Sequence, residues 1–199
     1  KADVIRSTSN IMAKETNLYT NKKINVTPFG VNLSIFYPGE KKKRRHLKIG
    51  IVKGLEDVYG FLDLFKAFIQ LKKSFSDLEL DIVGDGSKHT EYMEICKNYG
   101  IEKSVNFIGR VPNEQVPRYI RDMDVVVLPS LDESFGVSAI EAMACGVPVV
   151  VSDADGFREV VRHMETGIIV PKRDPEKLAT AITKLLKDES LRETLGSNG

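Results

Sequence analysis

The sequence predicts an α/β domain built on a Rossmann-like, doubly wound parallel sheet. The first observation is that short apolar runs alternate with segments of helical periodicity from Leu47 onward. Strands that alternate with helices imply right-handed crossovers and a parallel sheet with helices on both faces. The second is that the runs DVVVLP (124–129) and VPVVVS (147–152) are apolar throughout, as strands covered on both faces should be. The order of the strands does not follow from these patterns.

Each element is predicted from its own residue pattern. Apolar runs predict strands at 47–52, 78–84, 105–109, 124–129, 147–152 and 167–170. Helices follow the strands, because apolar residues recur there at spacings of three and four, which places them on one helix face. The clearest faces consist of Phe61, Leu64, Phe65, Phe68 and Leu71, of Tyr92, Ile95, Cys96 and Tyr99, and of Leu178, Ala181, Ile182 and Leu185. Further helices are predicted around 113–123, from about 136 to 145, and near 156–161.

The first 40 residues have a different pattern and are too few to fold alone. They offer helix caps at 7–10, a weakly helical segment at 11–20 and a short strand at 23–30. We interpret 1–40 as the tail of an N-terminal domain with an interdomain connector, and 41–199 as the Rossmann-like domain. Because the chain begins at Lys1 rather than Met, we expect a fragment of a longer protein.

Composition excludes several classes of function. The chain has 199 residues and a net charge of +1, so no overall field attracts nucleic acid or anionic lipid. We interpret the basic run KKKRRH (41–46) as a solvated linker rather than an anion-binding patch. Cys96 and Cys145 lack metal-ligand spacing and indicate buried free thiols in a reducing compartment. No apolar run approaches the ~18 residues of a membrane span.

A pair of glutamates marks the candidate site. Glu133 follows the strand at 124–129, and Glu141 stands about one turn into the next helix, in an otherwise small and apolar stretch. Ligands of open parallel sheets bind beyond the carboxyl ends of the strands, near helix N-termini. A carboxylate at 141 can bind the vicinal hydroxyls of a ribose, although a helix glutamate that pairs with a nearby cation remains an equal alternative on pattern alone.

The stretch ESFGVSAIEAMACGVPVVVSD (133–153) closely resembles the E-x7-E signature of the retaining glycosyltransferases of family 4, which have the GT-B fold. Five further stretches resemble landmarks of that family in the same order. TPFGVNLSIFYPGE is similar to its interdomain connector and IGIVKGLEDVYG to its glycine-rich phosphate loop, while DIVGDG and VNFIGRVP, with ETGIIVP, are similar to later motifs. The resemblance covers nearly the whole chain and implies the C-terminal, nucleotide-sugar-binding half of a two-domain enzyme.

The resemblance also implies roles for individual residues. Glu141 would bind the ribose hydroxyls, Glu133 would face the donor sugar, and Lys53 would stabilise the diphosphate as it leaves. The backbone around the donor would be formed by Phe135, Gly136 and Val137 at the sugar and diphosphate, by Gly109, Arg110 and Val111 at the base, and by Gly84 in a turn beside the donor. The resemblance implies no metal site and no cofactor. It implies a nucleoside diphosphate sugar as the donor substrate, and we expect a UDP-linked sugar.

Two departures from the family pattern bear on activity. The family's phosphate loop usually carries a second lysine where this chain has Val58. Losing one such cation would cost on the order of 10²–10³ in rate, unless another basic residue replaces it. The family's usual Gly-Gly pair is Asp155-Gly156 here, so that a different side chain is expected to border the sugar pocket.

The resemblance therefore implies a retaining hexosyltransferase that moves a sugar to a hydroxyl acceptor, glycan or lipid-linked, in polysaccharide or cell-envelope synthesis. We expect it in the cytoplasm, with attachment to the inner membrane face left open, and expect this chain to be inactive without the N-terminal domain. The alternative is a nucleotide-sugar-binding module with impaired catalysis. An NAD-dependent oxidoreductase is disfavoured, because the full G-x-G-x-x-G is absent. Metal binding is likewise disfavoured at the two Asp-x-Asp triplets, Asp122 to Asp124 and Asp153 to Asp155, which fit turn and capping roles.

Overall fold

A computed structural model of the protein describes residues 3–39 and 46–199. The strands are β1 (Ile5–Ser7), β2 (Ile24–Val26), β3 (Lys48–Val52), β4 (Glu79–Val83), β5 (Val105–Gly109), β6 (Val125–Leu128), β7 (Val149–Ser152) and β8 (Gly167–Val170). The helices are α1 (Asn10–Asn17), α2 (Phe61–Lys72), α3 (His89–Asn98), α4 (Val116–Arg121), α5 (Val137–Ala144), α6 (Asp155–Val160), α7 (Pro175–Lys187) and α8 (Glu189–Asn198). The basic run at 41–46 and the domain boundary predicted at 40/41 lie, except for His46, outside the described residues.

Strands β3 to β8 form one parallel sheet in the order β5-β4-β3-β6-β7-β8. This arrangement confirms the predicted doubly wound α/β fold and supplies the strand order that the sequence could not. Strands β4 and β5 are added on one side of β3, and the chain then returns to the other side of β3, where β6, β7 and β8 are added in turn. The reversal lies between β3 and β6, and ligands of such sheets bind outside the carboxyl ends of the strands at this point.

The core lies between the sheet and the helices on its two faces. All residues of β6 and β7 are buried, as their uninterrupted apolar runs predict. The five residues of the predicted α2 face are also buried. On α3 the prediction fails for Tyr99, which is 42% exposed. The helix ends at Asn98, and Gly100 follows in a left-handed conformation, so Tyr99 lies beyond the last periodic turn.

The N-terminal segment forms a small layer of its own. β1 and β2 pair as a two-stranded parallel sheet, and α1 begins after Ser9, whose hydroxyl accepts a hydrogen bond from the Met12 amide at 3.1 Å. The cap and the helix were predicted, but β1 was not, because three residues without a strand pattern give no signal. Helix α8 was also missed, since its sequence is largely polar.

Both Asp-x-Asp triplets have structural partners. Asp124 accepts a hydrogen bond from the Lys48 amide at 2.8 Å, and Asp122 contacts the Lys48 ammonium at 3.0 Å. Asp153 accepts from the Lys172 amide at 2.9 Å and pairs with Arg158 at 3.3 Å. Among the described residues, no three His, Cys, Asp or Glu side chains lie close enough together to hold a metal ion. The triplets therefore join neighbouring loops and strands.

The described cysteines are both buried and unpaired. Burial raises the pKa of the Cys96 thiol to about 12 and that of Cys145 to about 11, so neither forms a reactive thiolate near neutral pH. Within 3–39 and 46–199, no helix has the length and hydropathy that crossing a bilayer requires.

Candidate functional site

The predicted site residues follow strands whose carboxyl ends share one edge of the sheet. Lys53 comes directly after β3, Gly84 after β4 and Glu133 in the loop after β6, while Gly109 is the last residue of β5. β3 lies between β4 and β6, so Lys53 occupies the centre of this edge. The fold thus brings together residues that are up to 80 positions apart in the chain.

The loop after β3 is held against the loop after β4. The Lys53 amide donates to the Val83 carbonyl at 3.1 Å, which continues the β3–β4 ladder by one residue. Glu56 accepts hydrogen bonds from both the amide and the hydroxyl of Ser87, at 2.8 and 2.6 Å. Gly84 has φ 141°, and a Cβ there would collide with the Lys53 carbonyl, so only glycine permits this contact. These contacts give Lys53 a defined backbone position.

The side chains of Lys53 and Glu133 form a close ion pair. Their Nζ and Oε2 atoms are 2.6 Å apart, and the two side chains are only 11% and 9% exposed. The ammonium also lies 4.7 Å from the centre of the Tyr59 ring, a cation–π distance. Because little water surrounds the two side chains, the attraction between the lysine and glutamate charges is only weakly screened.

The loop that carries Glu133 is fixed by its backbone. The Leu131 amide donates to the Val58 carbonyl at 2.7 Å, and the Glu133 carbonyl accepts from the Gly156 amide at 3.0 Å. A Cβ at Gly156 would overlap the Glu133 carbonyl, so α6 approaches the loop closely only because residue 156 is glycine. The backbone of Glu133 is therefore held by α6, while its side chain pairs with Lys53.

Helix α5 begins beside Lys53 with its first amides uncapped by any side chain. Its N-cap is Gly136, which has φ 96°. The Ser138 hydroxyl donates to the Val52 carbonyl at 2.9 Å and so attaches the first turn of α5 to the end of β3. The unpaired amides of a helix N-terminus attract anions. This arrangement places both a helix terminus and the lysine ammonium at the same edge of the sheet.

Glu141 lies one turn further along α5 and is half-buried. Burial raises the pKa of this carboxyl above its ordinary value, and the nearby Lys53 charge opposes the rise. The charge of Lys53 therefore acts on Glu141 as well as on Glu133, although only Glu133 forms an ion pair with it. A carboxylate kept away from water gains from hydroxyl donors of a ligand that replace the lost solvation.

The residues predicted to bind the base lie at the end of β5. Gly109 has φ 80°, and its carbonyl accepts from the Gly84 amide at 2.9 Å. Arg110 is exposed, and Val111 is half-buried against the core. The segment 109–111 thus borders the turn after β4. Its contact with a base stays a prediction.

At both departures from the family pattern, Val58 and Asp155, the structure keeps the backbone contacts of the site. The Val58 side chain is 39% exposed, and its carbonyl supports Leu131, so the loop keeps its shape without a lysine at this position. Asp155 is exposed and does not have a positive φ, whereas Gly156 makes the close approach to Glu133. The glycine that the packing requires is therefore the one that this chain retains.

Sequence reasoning missed three residues around the site. Tyr59 lies under the Lys53 ammonium, Ser138 ties α5 to β3, and the Phe29 ring meets the Phe135 ring edge-on with centroids 5.9 Å apart. Tyr59 and Ser138 are close to site residues along the chain and could have been proposed from that proximity. Phe29 gave no signal, because its partner is more than 100 residues away.

A cation, a helix N-terminus and a half-buried carboxylate lie at the edge of the sheet where the strand order reverses, which is the crevice in which such folds bind ligands. This combination suits a phosphorylated ligand with free hydroxyls. The family model of the glycosyl transferases group 1 matches residues 37–199. This chain belongs to that family. Membership agrees with the predicted family at this level of classification, whereas assignment to the retaining enzymes of family 4 stays a prediction.

Known relatives agree with the fold. A D-inositol 3-phosphate glycosyltransferase of Corynebacterium jeikeium is 32% identical over 89% of this chain, which spans only 46% of that protein. The sucrose-phosphate synthase of Thermosynechococcus elongatus has a TM-score of 0.87 and is 28% identical; the match covers 100% of this chain and 52% of the synthase chain. The C-terminal domain of a glycosyl transferase group 1 protein from Francisella tularensis has a TM-score of 0.76 and 26% identity, covering 85% of this chain and 94% of its own. The last comparison shows that such a domain can form an ordered structure by itself.

Proposed function

We propose that this chain is the donor-binding half of a retaining glycosyltransferase that uses a nucleoside diphosphate sugar. The observation that carries the proposal is the pairing of Lys53 with Glu133 at 2.6 Å beside Glu141, at the crevice where the strand order reverses. A diphosphate requires positive charge, whereas a ribose and a sugar require hydrogen-bond acceptors. The crevice supplies the charge from Lys53 and the acceptors from the two carboxylates.

Each group has a part in the proposed reaction. Glu141 accepts hydrogen bonds from the ribose hydroxyls, and Glu133 accepts from hydroxyls of the donor sugar. Lys53 and the first amides of α5 stabilise the negative charge that grows on the diphosphate as the glycosidic bond to it breaks. Under retention, the leaving phosphate accepts the proton of the acceptor hydroxyl on the same face of the sugar. The chain therefore needs no nucleophile of its own at this edge.

The acceptor half of the site is proposed to come from a preceding N-terminal domain. The chain spans about half the length of most of the curated relatives that it matches, and residues 3–39 include a β1–β2 pair and α1 that stand apart from the main sheet. We propose a hydroxyl acceptor, glycan or lipid-linked, in polysaccharide or cell-envelope synthesis on the cytoplasmic side of the membrane. UDP-linked sugars are the donors to test first.

Calorimetric titration of the chain with a panel of nucleoside diphosphates and their sugar conjugates tests the proposal. We expect micromolar to millimolar binding of one base, and at least tenfold weaker binding after Glu141→Gln, since hydrogen bonds to charged groups contribute about 1.5–3 kcal/mol. The matched control is Glu94→Gln, on the exposed side of α3, which should leave the affinity unchanged. Absence of binding across the panel, or equal losses in both variants, would contradict the proposal.

A binding module with impaired catalysis is the second candidate, and the exposed Val58 favours it. The Val58 carbonyl already makes the structural contact, so Val58→Lys adds charge to the loop without removing support. If the site is short of one cation, sugar transfer by the protein with its N-terminal domain should rise about 10²-fold with lysine and not with methionine. Strong transfer by the unmodified protein with no gain from lysine would remove this candidate.

A further inference from the structure

The two groups of the Lys53–Glu133 pair bind each other in this structure, although the proposed function assigns them to different parts of the donor. Lys53 would bind the diphosphate and Glu133 the sugar hydroxyls. At 2.6 Å and about 10% exposure, the pair neutralises the lysine charge that a diphosphate requires. Donor binding therefore has to separate the pair, and separating an enclosed ion pair leaves both charges uncompensated unless the ligand supplies new partners.

We propose that Glu133 and Lys53 exchange partners when a donor binds, so that the site selects a sugar-bearing nucleoside diphosphate over the free nucleoside diphosphate. This inference rests on the proposed function. A complete donor offers phosphate oxygens to Lys53 and sugar hydroxyls to Glu133 in the same event. A free nucleoside diphosphate offers only the first, and leaves the Glu133 carboxylate without a partner beside an anion.

The surrounding contacts allow the side chains to separate while the backbone stays in place. The Glu133 carbonyl is held by the Gly156 amide, so the loop does not need to move. The Lys53 ammonium rests over the Tyr59 ring, which holds it near the crevice when its carboxylate partner leaves. The exchange therefore needs only a rotation of the Glu133 side chain.

Lys53 is the basic residue that the loop after β3 itself contributes to the site. Between positions 54 and 62 the sequence contains no lysine or arginine. Lys88 contacts this loop from the turn before α3, but its ammonium is paired with Asp57 and Glu91 at 3.2 and 2.8 Å. The availability of the Lys53 charge therefore controls what the loop's own residues contribute to phosphate binding. After sugar transfer the hydroxyl partners of Glu133 leave with the product, and Glu133 returns to Lys53. The same exchange then weakens the hold on the nucleoside diphosphate and assists its release.

Titration of Glu133→Gln with both ligand classes tests the exchange. The amide cannot neutralise Lys53, so the free nucleoside diphosphate should bind about tenfold tighter, whereas the sugar conjugate should bind no tighter or more weakly. The control Asp132→Asn removes one charge from the exposed neighbour in the same loop and should change both affinities equally and by less than about twofold. Inorganic pyrophosphate, which has phosphate but no ribose, should follow the free nucleoside diphosphate.

A second variant protects the test from a folding defect. Glu133→Asp keeps the charge but shortens the side chain by one methylene, which breaks the 2.6 Å contact; it should tighten the free nucleoside diphosphate by a smaller factor. Unchanged or weaker binding of the free nucleoside diphosphate in the folded variants, with sugar-conjugate binding still dependent on Glu141, would overturn the exchange alone. If no ligand of either class binds the unmodified chain, the proposed function fails as well.

Discussion

Glu159 is expected to attach helix α1 to the main domain. This side chain on α6 accepts hydrogen bonds from the Asn10 amide at 3.0 Å, from the Asn10 side-chain amide at 2.9 Å and from the Ile11 amide at 2.9 Å. It therefore satisfies two of the amides that the start of α1 leaves unpaired, and it adds negative charge at the positive end of the helix. Since Glu159 is exposed, the contribution is that of an N-cap, about 1–2 kcal/mol, rather than that of a buried ion pair.

The variant Glu159→Gln removes the charge and leaves one acceptor oxygen for three donors. We expect the amides of Asn10 to Met12 to exchange hydrogen about five- to thirtyfold faster, because 1–2 kcal/mol of local stability corresponds to that factor. Glu165→Gln is the matched control, because the Glu165 side chain pairs with Arg162 on the exposed surface; the substitution should leave α1 unchanged. Equal exchange rates in both variants would refute the argument.

The pH dependence of α1 attachment gives an independent check. Burial alone raises the pKa of Glu159, but the hydrogen bonds from Ile11 and Asn10 outweigh it and leave the pKa below the ordinary value. A carboxyl with a lowered pKa stabilises the folded state fully above its unfolded pKa, and this contribution is lost as the pH falls through the folded pKa. Protection of the α1 amides should therefore decline below about pH 4.3, and Glu159→Gln should abolish that decline.

Three further predictions concern the site loop and the fold. Gly136→Ala should lower the free energy of unfolding by about 1–3 kcal/mol more than Gly100→Ala, as measured in urea. Both glycines have a positive φ, but a Cβ at Gly136 would lie 2.8 Å from the Phe157 ring, whereas Gly100 has open space. Met164→Gly should raise Tm by about 2–4 °C. Met164 has φ 61°, and this left-handed conformation costs a residue with a Cβ about 1 kcal/mol of folding free energy that glycine does not lose; a lower Tm would contradict this. Glu141→Gln should stabilise the empty protein at neutral pH while weakening nucleotide binding, because burial raises the pKa of this carboxyl and makes its charged form costly. The gain in Tm should disappear as the pH falls below the ordinary glutamate pKa, where the carboxyl is protonated in both states.

The sheet could be predicted because its residues carry the signal locally. The short all-apolar runs of β6 and β7 are typical of strands covered on both faces, and the α2 stripe has one buried face. Tyr99 shows the limit of the same reasoning. Its spacing continues the α3 pattern, but the left-handed Gly100 ends the helix before the tyrosine can turn inward. Periodicity specifies a face, whereas backbone conformation decides where that face ends.

The identity of the site residues was accessible from the sequence, but their partners were not. Lys53 and Glu133 closely follow predicted strands, and Glu141 lies one turn into the next predicted helix, all near the edge where an open parallel sheet binds ligands. The pairing of Lys53 with Glu133 depends on β3 and β6 being neighbours, and strand order is not encoded in local pattern. The support from Gly156 depends in the same way on how α6 returns over the loop. Both contacts arise from the topology, because Lys53 and Glu133 are 80 positions apart in the chain and Glu133 and Gly156 are 23 positions apart.

Helix α6 links the N-terminal segment to the loop that carries Glu133. On one side its Gly156 amide holds the Glu133 carbonyl, and on the other its Glu159 carboxylate caps α1. The Phe29 ring, from the segment between β2 and β3, adds a second link through its edge-on contact with Phe135. One short helix and one aromatic pair thus join the N-terminal segment to the loop whose side chain pairs with Lys53, because α6 has only six residues and uses both of its ends.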